Sequence, residues 1–98
     1  MVYIKAVATK LIDDSSYPEV VLCEFLDFYG KKHEFIEKWP VLSDKELINK
    51  FPTNCVIGCT VLKTNTESYI VSTKEPWGIE SQEGYFEFEI CKSLIINI

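Results

Sequence analysis

The stretch Asp27-Phe28-Tyr29-Gly30-Lys31 constrains this chain more than any other. Asp suits the first position of a type I turn, and a Gly three residues on suits the left-handed position of a G1 bulge. Alternating residues flank the turn. Over residues 19–27, Val21, Cys23 and Phe25 share one face while Leu22, Glu24 and Leu26 share the other. The turn then sets the register of the next strand, residues 31–38, and pairs Phe25 with His33 and Cys23 with Phe35. His33, Phe35 and, beyond them, Trp39 fall on the core face. A lone hairpin is marginal in water, so this one needs further strands to cover its apolar side.

The rest of the chain offers them. Residues 2–12 put Val2, Ile4, Ala6 and Ala8 on one face at period two, and residues 13–18 form a loop by composition. Residues 54–63 and 68–73 read as a fourth and a fifth strand around a turn at 64–67. Residues 85–92 read as a sixth, with Phe86, Phe88 and Ile90 facing in and Tyr85, Glu87 and Glu89 facing out. Pro40 ends the third strand. Ser43-Asp44-Lys45-Glu46 has a capping-box pattern that opens a helix over about 44–50, closed by Phe51-Pro52. The apolar tail Leu94-Ile95-Ile96-Asn97-Ile98 either completes the sheet within one chain or adds to a neighbour's edge in a homodimer.

This order predicts a single, mostly β domain spanning residues 1–98. It is a small antiparallel barrel of about six strands, with one short helix between the third and fourth. The helix position matches the order of the OB-fold; an SH3-like barrel or a compact sandwich is the competing arrangement. The 98 residues, 47% of them hydrophobic, are enough for one core without staples.

Charge narrows the function classes. The formal net charge is -5, and all ten basic residues are lysines. Arginine is the usual residue for bidentate phosphate and guanine contacts. Its absence from an acidic chain argues against nucleic acid and against anionic membrane surfaces; a basic or neutral partner is easier to accommodate. No run approaches the length of a membrane span, and Met1-Val2-Tyr3-Ile4-Lys5-Ala6 lacks a signal-peptide pattern. The expected compartment is the cytoplasm, where four cysteines read as reduced thiols.

The chemistry-bearing residues form no recognisable set. Cys55 and Cys59 share a strand face ~13 Å apart, too far for a disulfide, and Cys23 lies on a core face. They read as buried, inert thiols, with metal binding by some mix of Cys23, Cys55, Cys59 and His33 as the sharper alternative. His33 is the lone histidine, and Glu37 is too far along its own strand to assist it; a structural role beside Phe25 is expected. Glu34, Glu37, Glu87 and Glu89 read as a solvated face. No nucleophile elbow, phosphate loop or dinucleotide fingerprint is present. No cofactor is implied.

The most distinctive loop is Pro76-Trp77-Gly78-Ile79-Glu80-Ser81, followed by Glu83-Gly84. It either packs Trp77 as a plug over the barrel end or presents it to a partner. Trp39, before Pro40, has the same two readings. Trp77, Ile79 and Trp39 are therefore the candidate partner-binding residues.

Val21-Leu22-Cys23-Glu24-Phe25, Asp27, Gly30, His33, Phe35, Glu37-Lys38, Pro40-Val41, Phe51-Pro52, Ile57-Gly58-Cys59 and Pro76 to Ser81 with Gly84 form a pattern over about residues 19–91. It resembles a group of small stand-alone bacterial proteins of unknown function. The resemblance implies a bacterial cytoplasmic origin and a whole chain, and carries no mechanism. The functional expectation is a non-enzymatic protein-binding module, of accessory or immunity type. The alternative is a small-ligand or metal-binding barrel, with enzymatic chemistry left open, at a site near His33.

Overall fold

Seven strands and one helical turn follow from these patterns in a computed structural model that describes residues 1–48 and 50–97. They are β1 (Val2–Asp13), β2 (Val20–Leu26), β3 (Lys32–Lys38), α1 (Trp39–Leu42), β4 (Thr53–Thr64), β5 (Ser68–Ser72), β6 (Glu87–Cys91) and β7 (Ile95–Asn97), with a 3-10 turn at Lys92–Leu94. All pairings are antiparallel, and the sheet runs β3-β2-β1-β4-β5-β6.

The turn at 27–31 forms as its residues dictate. Asp27 donates its N–H to the Lys31 carbonyl at 2.8 Å, Gly30 donates to the Asp27 carbonyl at 3.0 Å, and Gly30 takes φ 81°. The β2–β3 register follows, with Phe25 opposite His33 and Cys23 opposite Phe35. β1 lies at the centre. It pairs with β4 along Val2 to Ala8, with β2 along Val7 to Asp13, and with β7 from Val2 to Ile4. The tail thus completes the sheet within its own chain; its residue Ile98 lies outside the described residues.

The sheet curls into a half-barrel. β3 and β6, the two ends of the order, share no ladder, but their side chains meet. Phe88 of β6 packs on His33 at 4.8 Å and on Phe35 at 5.8 Å between ring centroids, and on Phe25 at 5.2 Å. Two backbone bonds span the gap: Phe28 N–H to the Glu89 carbonyl at 2.7 Å, and Gln82 N–H to the Glu34 carbonyl at 2.8 Å. The Glu89 carboxylate adds to the closure by accepting from the Tyr29 hydroxyl at 2.7 Å, and the Ser68 hydroxyl on neighbouring β5 donates to it at 2.6 Å. Ile4, Phe35, Ile57 and Ile90 are fully enclosed. Burying each such side chain contributes about 1.5–3 kcal/mol.

The helix lies between β3 and β4, but it is not the expected one. α1 covers Trp39–Leu42, ahead of the capping-box residues. Pro40 sits in its first turn, where the missing N–H leaves no intrahelical bond unmade. Ser43 is the C-cap, in extended backbone. Its hydroxyl still accepts from the Lys45 N–H at 3.1 Å, without a helix over 44–48; Asn49, within the expected helix, lies outside the described residues. Tertiary contacts override the local pattern here. The Trp39 indole donates to the Lys45 carbonyl at 2.6 Å, and Leu47 is buried, so the segment is drawn in as irregular cover.

Candidate functional site

Two places gather aromatic and polar side chains. The first surrounds His33. Asp27 uses Oδ1 to accept from the backbone N–H groups of Tyr29 (2.9 Å) and Lys31 (3.0 Å), which organises the turn. Its Oδ2 is left to pair with His33 Nε2 at 2.8 Å. Burial works to raise the Asp27 carboxyl, but the hydrogen bonds from His33, Lys31 and Tyr29 outweigh it and hold the group below its ordinary value. The imidazole is 5% exposed and sits among Phe25, Tyr85 and Phe88. Its Nδ1 has no hydrogen-bond partner among the described residues. The pair locks the hairpin to the aromatic core, and neither surface groove below is lined by His33.

The thiols do not converge on this histidine as ligands. Among the described residues, no three His, Cys, Asp or Glu side chains are grouped to hold a metal ion. Cys23, Cys55 and Cys59 are buried and Cys91 is exposed. Contact with the Cys55 thiol, then burial, pushes the Cys23 thiol far up, and burial raises Cys59 to about 11. Both shifts favour the thiol over the thiolate, which weakens these groups as nucleophiles.

The second place is the outer face. The strap from Thr73 to Phe86 is held at several points. Thr73 donates its N–H to Phe86 and its hydroxyl to the Ile79 carbonyl, and Ile79 N–H returns to Thr73 at 2.9 Å. Ser81 accepts the Tyr85 N–H at its hydroxyl oxygen and the Gly84 N–H at its carbonyl, each at 2.9 Å. Ile79 and Ser81 are buried, and Gly78 takes φ 66° between Trp77 and Ile79. The short span 74–78 is therefore raised on a fixed base, with Trp77 on top.

Trp77 is 57% exposed, yet its ring is seated. It lies over Gly58 on β4, so closely that a Cβ there would come within 2.8 Å of its Cδ1. Beside it opens a groove of about 780 Å³. Tyr3 and Lys5 of β1, Asn54 and Val56 of β4, and Ile96 of β7 form its floor, while residues 40–45 form the opposite wall. A smaller groove of about 440 Å³ continues past Lys5 and Asn54 toward Leu26 and Leu94.

Of the three residues expected to face a partner, the structure leaves only Trp77 on the surface. Ile79 is 0% and Trp39 6% exposed. Ile79 is the apolar anchor of the strap, and Trp39 has its indole N–H committed to Lys45. Neither offers a surface to a partner, which corrects that expectation. Trp77 itself combines the two readings of its loop, one edge packed and the rest presented.

Asp27 was not legible as the partner of His33, because the pair forms across the turn and not along the strand. Gly58 carried a signal of its own. An isolated glycine inside a strand signals close approach by another group, and here that group is an indole. Among the described residues no helix is long and apolar enough to cross a membrane. No family model, curated protein or solved structure matches the chain.

Proposed function

We propose that this chain is a non-enzymatic protein-binding module whose contact surface is the groove beside Trp77. The observation that carries the reading is a tryptophan seated on Gly58 and still more than half exposed. A large ring held in one orientation loses little entropy when a partner covers it, and such rings are typical anchors of interfaces. His33, Trp39 and three of the four thiols support the reading by being committed elsewhere: His33 to Asp27, Trp39 to Lys45, and Cys23, Cys55 and Cys59 to the core. An accessory or immunity-type role in a bacterial cytoplasm fits the small size and the net charge of -5.

The test is affinity capture from lysate by wild type and by Trp77→Ala, with both proteins shown to be folded. A stoichiometric protein retained by wild type and lost by Trp77→Ala supports the reading. Equal retention by both, or none by either, removes the groove as the contact. The second reading is a small-ligand site near His33, favoured by the unpartnered Nδ1. It requires native mass spectrometry to show an added small mass that His33→Phe abolishes.

A further inference from the structure

We infer that the segment taken by this groove is an acidic peptide in extended form, laid between α1 and the free edge of β4. The inference rests on the groove being the partner site and adds the chemistry of the occupant.

The edge comes first. Over residues 53–57, β4 is laddered to β1 on one side, and its pairing with β5 begins only at Thr60. Among the described residues, no other backbone–backbone hydrogen bond reaches this stretch. Alternate N–H and C=O groups of a strand point to each edge, so this one carries unmet donors and acceptors at strand spacing. A peptide backbone matches that spacing residue for residue. Three consecutive β4 residues, Asn54, Cys55 and Val56, line the groove, as does α1 on the facing side. A cleft between a helix and an open strand edge is a recurrent place for an extended segment to add as a further strand.

Charge supplies the second argument, and it runs against the molecule as a whole. Lys5 and Lys45 both line the groove, and among the described residues Asp44 is the only acid that lines it. Neither lysine has a carboxylate within 4.0 Å among the described residues. The net charge of -5 acts over distances that salt screens within ~8 Å at physiological ionic strength. At contact range the two uncommitted ammonium groups dominate, and they favour carboxylates. Trp77 and Tyr3 then offer apolar surface to a side chain of the same segment.

The experiment is selection from a display library of random 12-residue peptides against the folded full chain, with counter-selection on Trp77→Ala. Winners are measured against wild type and against Lys5→Glu/Lys45→Glu; both lysines are exposed, and Lys5→Gln/Lys45→Gln serves as the milder variant. The expected winners carry Asp or Glu near an apolar residue. They lose at least tenfold in affinity on the charge-reversed protein, weaken with salt, and fail when backbone-methylated at alternate residues. Trp77-dependent winners that are neutral or basic, or indifferent to the lysine changes, overturn the inference and leave the groove as a binding site. Acidic winners indifferent to backbone methylation overturn the strand-addition geometry. Absence of any Trp77-dependent winner overturns both the inference and the groove reading.

Discussion

The His33 centre and the Trp77 groove are built from similar materials and end in opposite states. Each joins large aromatic rings to a few polar groups. Around His33, Nε2 pairs with Asp27 and the rings of Phe25, Tyr85 and Phe88 surround the imidazole, leaving only its Nδ1 without a partner among the described residues. Around Trp77 the ring touches Gly58 with one edge, and among the described residues two lysines have no carboxylate and a stretch of strand edge has no ladder. The residue types that suggest chemistry in a sequence are thus the ones the fold uses up internally. What distinguishes a surface for binding is unmet capacity: exposed ring area, unpaired charge and open backbone.

Three substitutions sharpen this contrast. Phe35→Ala should have the largest effect. Phe35 is fully buried among rings, so removing it should cost about 3–5 kcal/mol of unfolding free energy in urea. A cost near zero would mean that the half-barrel is not closed by these rings.

Asp27→Ala comes next, at about 1–3 kcal/mol, because it leaves the buried His33 nitrogen without its acceptor and frees two turn amides. The effect should depend on pH. Asp27 titrates lower in the folded state than its ordinary 3.8, so its contribution is present above that value and lost as pH falls through the folded value. The stability gap between wild type and Asp27→Ala should therefore narrow in acid below about pH 4; a gap that widens there would contradict the pairing.

Gly58→Ala should have the smallest effect on folding, within about 1 kcal/mol, because the ring it unseats is more than half exposed and contributes little to the core. Its signature should be optical. Trp77 emission should change while buried Trp39 reports an unaltered core. An unchanged spectrum would mean that the glycine does not set the ring.

Much of the architecture was legible because the strands alternate and the turns carry their own chemistry. Asp27 and Gly30 set the β2–β3 register, and Val2, Ile4, Ala6 and Ala8 marked the inner face of β1. The helix was misplaced because a capping box is a local preference. One indole bond from Trp39 and the burial of Leu47 were enough to override it. Ile79 looked presentable beside Trp77, yet Gly78 between them takes a left-handed φ of 66°, and the chain buries Ile79 while Trp77 stays out. The groove was not legible, because Tyr3, Lys5, Lys45, Val56 and Trp77 come from four separate segments that only the sheet order brings together.

The pairing of β1 with β7, Val2 opposite Asn97, has a kinetic consequence. The central strand is made early but finds its last neighbour only after almost all the other described residues have been synthesised. At ribosomal rates of ~5–20 residues per second, the Val2-Tyr3-Ile4 edge waits roughly 5–20 s for its cover. Contacts so distant in sequence also slow the folding search itself, toward the millisecond-to-second range of all-β domains. During that interval the chain carries a sticky, half-built sheet, so its yield in a cell should depend on synthesis rate and chaperone supply more than its final stability would suggest.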